Sequence, residues 1–328
     1  VRRGVSIMDV GTLGKFLIGG ADATAFLERL YPCRVADLAP GRIRYTLVLN
    51  EAGYVFDDGL ICALGAGRYY LTFTSGGAEQ AESWLRDWAE TWGLMVHIVN
   101  RTAAVGAINV AGPRARELLF ALGASADGGD LPYLGHREIE VAGVPCRAIR
   151  LGFVGELSYE LHHPSIKSVR LWDALLDAGG GLEIRPHGLE ALRLLRLEKG
   201  HVIVGQDTDF DTTPAKLGLD RAVKMDKEYF IGKTALGRVG RLPLERRLVG
   251  VVFDGNGAPP EGMPLQVGGR HVGYLTSSRY SPVLGHGVAL AWLRRTNGVF
   301  PERVDADAWA GRVVTSAFYD PTGKRLRA

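Results

Sequence analysis

The sequence predicts an α+β protein of three packed units: two in which strands alternate with helices, and a third made of strands alone. Three observations carry this reading. At 328 residues the chain is too long for one small core, so its apolar residues must be shared among several. Period-two apolar runs alternate with helical apolar faces up to about residue 245. From about Arg246 the helical period stops, and short strand-like runs follow one another across Gly and Pro turns, the pattern of a small barrel. The expected units are 1–100, 101–245 and 246–328.

In the first unit, Asp22 is placed to cap a helix whose Ala23, Phe26, Leu27 and Leu30 share one face. Ile43, Tyr45, Leu47 and Leu49 then recur with period two. Asn50 to Gly53 reads as a turn, and Tyr54 to Phe56 returns as the second arm of a hairpin. Arg68 to Thr74 reads as a further strand. After Gly76-Gly77, the residues Trp84, Leu85, Trp88 and Trp92 mark an amphipathic helix whose tryptophans are expected in the core rather than around a ligand.

The second unit opens with a strand over Val105 to Val110 and places Pro113 at the first position of a short helix. Ile139 and Val141 lead through Gly143 to Cys146, Ala148 and Ile149. Ser165 is placed to cap a helix containing Leu171, Trp172, Leu175 and Leu176, ended by Gly179-Gly180-Gly181. A leucine-rich helix closes at Glu198-Lys199 with Gly200 as its cap, and His201 to Val204 reads as a strand leading to an acidic turn. In the third unit the expected strands are Leu248 to Phe253, Met263 to Val267, Gly269 to Leu275, Val288 to Leu293 and Val313 to Tyr319.

Composition narrows the function classes. Apolar residues make up 46% and charged residues 23%, which excludes disordered and collagenous chains. A net charge of +3 from 39 basic and 36 acidic side chains gives no electrostatic support for nucleic-acid binding; the cluster Arg238 to Arg247 reads as a solvated segment. Cys33, Cys62 and Cys146 are widely spaced and without a CxxC pair, so they read as buried small hydrophobes rather than disulfide or zinc ligands. No apolar run reaches membrane-spanning length, and no leader pattern opens the chain, so neither a membrane nor a nucleic acid is an expected partner and the reducing cytoplasm is the expected compartment. Because the chain starts at Val1 within strand-like sequence, residues upstream are expected.

Three motifs carry chemistry. Phe56-Asp57-Asp58-Gly59 follows a strand, and its two aspartates point to opposite faces, so only one of them enters a given cavity. Gly152-Phe153-Val154-Gly155-Glu156 precedes Tyr159-Glu160-Leu161. Leu197 to Pro214 runs LEKGHVIVGQDTDFDTTP. Arg196 and Glu198 stand two apart in a helix and so on different faces, unable to share one role. Asp207, Asp209 and Asp211 invite a calcium-loop reading, which fails because the sixth and twelfth places hold Thr212 and Gly218. Asp209 to Thr213 also fits the DxDxT of haloacid-dehalogenase-type phosphatases, but the strand-rich segment after it leaves little room for the rest of that fold. His187, His201 and His162-His163 have no metal-ligand spacing, and no GxGxxG opens a helix after a strand.

The three motifs, in this order and at these separations, resemble the folate-binding aminomethyltransferase family, which includes the glycine-cleavage T-protein and the carboxy-terminal part of the α subunit of heterotetrameric sarcosine oxidase. The resemblance runs from Val5-Ser6-Ile7-Met8-Asp9 to Phe318-Tyr319-Asp320-Pro321. Thr12-Leu13-Gly14-Lys15, Gly205-Gln206-Asp207-Thr208-Asp209 and Phe230-Ile231-Gly232-Lys233 look like the sarcosine oxidase type.

It implies a cloverleaf of the two α/β units and a β-barrel around a central cavity, with tetrahydrofolate as the cofactor. It implies Asp58 as the catalytic carboxylate, aimed by a bulge at Gly59, and Glu156 as acceptor for the 2-amino-4-oxo pyrimidine edge. Glu198 is implied as a second polar contact, with Arg193 or Arg196 bracing it or holding a carboxylate. Tyr70, in a register uncertain against Tyr69, is implied to stack on or hydrogen-bond folate. Phe153, where T-proteins commonly have Tyr, and Tyr159 belong to the same binding segment, and Tyr280-Ser281-Pro282 resembles a stretch near the cavity.

The implied activity is capture, by tetrahydrofolate, of an iminium made by oxidation of sarcosine or a similar amine, giving 5,10-methylenetetrahydrofolate, with flavin-containing oxidase subunits as partners. The alternatives are a stand-alone glycine-cleavage aminomethyltransferase acting on a lipoyl carrier, and a non-catalytic folate-binding protein. Relatives of the last kind carry a KGCYxGQE-like run, whereas this chain has His201 in the cysteine's place.

Overall fold

The computed structural model describes residues 1–124 and 131–328. The first layer is a five-stranded sheet in the order β3-β4-β5-β2-β6, formed by β2 (Gly14–Gly19), β3 (Ile43–Leu49), β4 (Val55–Gly65), β5 (Arg68–Phe73) and β6 (His97–Asn100). Helices α1 (Ala23–Leu30) and α2 (Ala78–Thr91) cover one face of it. Phe26, Leu27, Leu30, Ala81 and Leu85 meet Phe16, Ile18, Ile61, Leu71 and Phe73 there, and Trp84, Trp88 and Trp92 pack against the same core, as their spacing predicts. Asp22 stands before α1 without capping it; its carboxylate accepts from the Met95 N–H at 2.8 Å instead, tying the helix start to the next loop.

The second sheet has the order β11-β1-β7-β10-β9-β8. Its strands are β1 (Ser6–Asp9), β7 (Val105–Ala111), β8 (His136–Val141), β9 (Val144–Ile149), β10 (Ser158–Pro164) and β11 (Arg185–Pro186). The first strand of the chain thus pairs with β7 and β11, so the unit expected over 1–100 gives up its first strand to its neighbour. Buried Val5 and Ile7 explain this: they complete the core under α3 (Ala115–Ala121) and α4 (Ser168–Ala178). Pro113 lies two residues before α3, and Ser165 opens a 3-10 turn ahead of α4 rather than capping it.

Helix α5 (Leu189–Lys199) ends on Gly200, whose φ of 74° is the left-handed cap expected of it. The segment 201–204 is not a strand. Its backbone is pinned locally, with the Ile203 N–H donating to Asp207 at 2.9 Å, so this apolar run is held by a turn rather than by a sheet. After α6 (Lys233–Val239) the chain closes a barrel in the order β12-β15-β14-β13-β16-β17. Its strands are β12 (Arg246–Phe253), β13 (Pro264–Val267), β14 (Arg270–Ser281), β15 (His286–Arg294), β16 (Arg303–Ala306) and β17 (Trp309–Val314). The short β16 escaped the sequence reading, and β14 runs six residues beyond its expected end at Leu275.

The first sheet meets its neighbours on the face opposite α1 and α2, and α5 lies in the junction with the barrel. Ile43, Leu60, Cys62 and Tyr70 of the first sheet pack against Ile149, with Leu134 and Leu151 beside them. Leu47, Leu49 and Val55 pack with Leu197 of α5 and with Leu248, Val288, Leu290 and Trp292 of the barrel. All three cysteines are buried and free. Among the described residues no helix is long and apolar enough to cross a membrane.

Candidate active site

Asp57 and Asp58 sit on β4 opposite Val48 and Leu47. Pleating sends them to opposite faces. Asp57 is fully buried on the α2 side, where its Oδ1 accepts from the Asp58 N–H at 2.8 Å, its Oδ2 has no partner among the described residues, and burial pushes its carboxyl above the usual range. Asp58 is half-buried on the other face, in line with Leu60 and Cys62 and therefore on the side where the units meet. The bulge that shapes this stretch is at Phe56, where Val48 pairs with Asp57 but Leu49 pairs with Val55, and not at Gly59 as expected. Gly59 lies in register, and what demands glycine there is proximity: a Cβ would stand 1.8 Å from the Thr72 carbonyl oxygen.

The Tyr45 hydroxyl donates to Asp58 Oδ2 at 2.7 Å. No described cation forms an ion pair with Asp58. Burial raises its carboxyl from the ordinary 3.8 to about 6, the Tyr45 hydrogen bond opposes that shift, and the Asp57 charge adds to it. Burial and the Asp58 charge together hold the Tyr45 hydroxyl well above its ordinary 10, so it remains a donor at neutral pH. The result is a carboxylate oriented by one hydroxyl, with burial pushing it up to about 6.

A second carboxylate cluster stands where α5, the GFVGE loop and the barrel converge. Glu156 and Glu198 are both buried, about 1% exposed. Gly155, with φ of 80°, turns the loop where a Cβ would press on the Lys199 side chain at 3.1 Å. Glu156 Oε1 accepts from the Tyr319 hydroxyl at 2.6 Å, from Arg2 at 3.3 Å and from Arg325 at 3.5 Å. Glu198 Oε1 accepts from the Ser281 hydroxyl at 2.6 Å, and its Oε2 accepts from Arg2 through both Nε, at 3.1 Å, and Nη2. Tyr45 packs against both apolar clusters of the junction, the one that holds Ile43, Leu60 and Tyr70 and the one that holds Leu47, Leu197 and Trp292.

Other residues implied by the resemblance fall elsewhere. Arg196 is fully buried and paired with Asp207, with further bonds to the Ser277 hydroxyl at 2.6 Å and the His201 carbonyl at 2.9 Å. Its role is to lock α5 to the acidic turn and to β14. Arg193 is at the surface against Glu190. Tyr159 is sealed in the helix-side core of the second sheet, its hydroxyl accepting from Arg116 at 3.3 Å, because its place on β10 points away from the face where the units meet.

Tyr70 is 2% exposed, and its hydroxyl shares a 2.8 Å hydrogen bond with His162. It lines a hollow of about 240 Å³ with Arg101, Arg147 and Glu138. Tyr70 pairs with Cys62, four residues from Asp58 along β4, a separation of about 13 Å. Phe153 is half-buried and stacks on the His201 ring with centroids 5.5 Å apart. Asp209 and Asp211 both pair with Arg246, Asp211 also with Lys216, so the acidic turn is closed by cations. A larger hollow of about 870 Å³, between this turn, α6 and the barrel rim, includes none of Asp58, Glu156 or Glu198.

Tyr45, Arg2 and Tyr319 were missed as site residues. Ser281 was flagged only through its Tyr-Ser-Pro motif. Arg2 has no local signal at all, since its partners lie 152 and 196 residues away.

The architecture of two helix-covered sheets and a closed barrel, with carboxylates facing the junction, defines a T-protein type of fold. The crystal structure of glycine cleavage system aminomethyltransferase T from Bartonella henselae matches 98% of this chain and 88% of its own, with a TM-score of 0.87 at 24% identity. Residues 1–227 match the GCVT N-terminal domain, and residues 246–320 match the glycine cleavage T-protein C-terminal barrel domain. The chain belongs to the glycine cleavage T-protein family. An aminomethyltransferase of Halothermothrix orenii is 33% identical over 90% of this chain and 81% of its own length. The sarcosine oxidase subunit alpha of Corynebacterium sp. strain P-1 is 34% identical over 99% of this chain, which spans 36% of that subunit.

Proposed function

We propose that this protein transfers a one-carbon unit from an aminomethyl donor to tetrahydrofolate, with Asp58 as the catalytic carboxylate. The observation that carries the proposal is Asp58 itself: half-buried, without an ion-pair partner among the described residues, and oriented by Tyr45 at 2.7 Å, with burial pushing its carboxyl up to about 6. A carboxylate so placed is ionised at neutral pH, yet basic enough to take a proton from an attacking amine and to offset positive charge on the methylene group. Tetrahydrofolate, when bound, supplies the nitrogen atoms that receive the carbon as 5,10-methylenetetrahydrofolate.

The donor set suits a pterin. Protein donors converge on Glu156 Oε1, and among the described residues none reaches Oε2, which leaves that oxygen as an acceptor for the N–H groups of a 2-amino-4-oxo pyrimidine. Glu198 has a protein donor on each oxygen and so braces the site more than it faces the ligand.

For the donor we favour the stand-alone aminomethyltransferase reading, an aminomethyl group on a carrier. It is supported by relatives that this chain covers over most of their length, as with the Halothermothrix protein. The sarcosine oxidase reading, in which an iminium arrives from flavin-containing subunits, is kept by one observation: the match to that α subunit spans 99% of this chain. Mixing the protein with tetrahydrofolate and either an aminomethyl-lipoyl carrier or sarcosine plus an oxidase distinguishes the two. In the favoured case Asp58→Asn binds tetrahydrofolate normally and forms no methylene product from the carrier; full product formation by Asp58→Asn removes the assignment.

A further inference from the structure

Arg2 makes the most extensive set of contacts at the second carboxylate cluster, although the family resemblance assigns it no part. Its guanidinium is 11% exposed and reaches Glu198 through Nε and Nη2, Glu156 through Nη1 at 3.3 Å, and the Val154 carbonyl through Nη1 at 2.6 Å. Nη2 also approaches the Leu195 carbonyl at 3.4 Å, and the Tyr319 ring lies 3.9 Å below the guanidinium carbon. One side chain therefore ties together the GFVGE loop, the last turn of α5 and the carboxy-terminal Tyr319 segment. Without Arg2, Glu198 would have no cation among the described residues and Glu156 only Arg325 at 3.5 Å, and a buried carboxylate without a close cation is costly.

We propose that Arg2 is a positioning residue for folate binding: it holds Glu156 against Glu198, so that Oε1 of Glu156 is engaged by protein donors and Oε2 is presented to the pterin edge. This rests on the folate reading given above. The fork matters, because a guanidinium has enough donors in fixed directions to meet two carboxylates and two carbonyls at once, which an ammonium with three donors cannot do. The contact to Glu156, at 3.3 Å, is long enough to adjust when a ligand takes up Oε2, whereas the grip on Glu198 is close and two-pronged.

The test is calorimetric titration of the full chain with (6S)-tetrahydrofolate, together with steady-state kinetics. In Arg2→Met, tetrahydrofolate binding weakens and its KM rises by about tenfold or more, while kcat at saturating folate stays within about threefold and the donor KM is unchanged. Arg2→Lys falls between Arg2→Met and the parent. A purely structural role would lower Tm without this split between KM and kcat. If Arg2→Met does not accumulate as folded protein, Arg2→Lys decides: a lowered Tm with unchanged folate KM overturns the proposal. It is equally overturned if Arg2→Met keeps normal folate affinity while Glu156→Gln loses it. Undiminished binding in Glu156→Gln is a separate result, and it removes the folate assignment of the cluster itself.

Discussion

Asp58 and Asp207 are both aspartates at junctions between units, and their surroundings could hardly differ more. Asp207 is fully buried and receives the Arg196 guanidinium, the Thr276 and Ser277 hydroxyls at 2.6 Å each, and the Ile203 N–H at 2.9 Å. Asp58 receives the Tyr45 hydroxyl, has no ion-pair partner among the described residues, and has another aspartate as its chain neighbour. A carboxylate surrounded by donors and a positive charge is held in place by them and serves as a rivet. One with a single donor keeps its basicity and can exchange a proton during a reaction. Donor count and counter-charge separate the riveted carboxylate from the one proposed to react.

The largest expected effect is on rate. Asp58→Asn lowers methylene transfer by about 10³-fold, within the range for removing a general base, whereas Asp207→Asn leaves the rate per folded molecule within about threefold. Next comes stability, with the order reversed. Arg196→Met leaves the Asp207 charge buried without its partner and costs about 3–5 kcal/mol, read as a drop in Tm or in denaturant midpoint. Asp58→Asn goes the other way. Because the folded carboxyl titrates near 6 against an ordinary 3.8, its contribution to stability is fully present below 3.8 and is lost as pH rises through about 6. Replacing it with Asn therefore stabilises the protein at pH 8 by about 1 kcal/mol, allowing for its partial exposure, and the gain disappears toward pH 4. Equal melting curves for parent and Asp58→Asn across that window would contradict the raised carboxyl.

The same contrast shows how far the sequence could be read. Alternation along β4 was enough to place Asp57 and Asp58 on opposite faces, and the helical period was enough to deny Arg196 and Glu198 a common role; the former is riveted to Asp207 and Ser277, the latter faces Ser281 and Arg2. Both inferences are local, and local geometry follows from residue spacing. The partners were not legible. Arg2 meets Glu198 across 196 residues and Tyr319 meets Glu156 across 163, contacts created only when the barrel and the amino-terminal segment close over α5. The strand expected over 201–204 failed for a related reason: a β-branched apolar run fits any half-buried extended segment, and here a side chain, Asp207, supplies the hydrogen bond that a neighbouring strand would have given. The first strand joined the second sheet because pairing is decided by which core needs Val5 and Ile7, and chain order does not encode that.

The smallest expected effects concern Tyr45, the one side-chain donor to the Asp58 carboxylate among the described residues. With the aspartate as base, the rate falls on the acid side with an apparent pKa near 6, since protonation removes the group that accepts the proton. The Tyr45 hydrogen bond favours the ionised form and opposes the effect of burial, so Tyr45→Phe moves that acid limb to higher pH, by less than about one unit. At pH 8, where the carboxylate is ionised in either protein, the residual loss reports orientation alone and is about two- to fivefold. A pH–rate profile of Tyr45→Phe superimposable on that of the parent would mean that the hydroxyl only fills space. A shift toward lower pH would mean that it stabilises the protonated acid, and the assignment of Asp58 as a base near neutrality would then have to be abandoned.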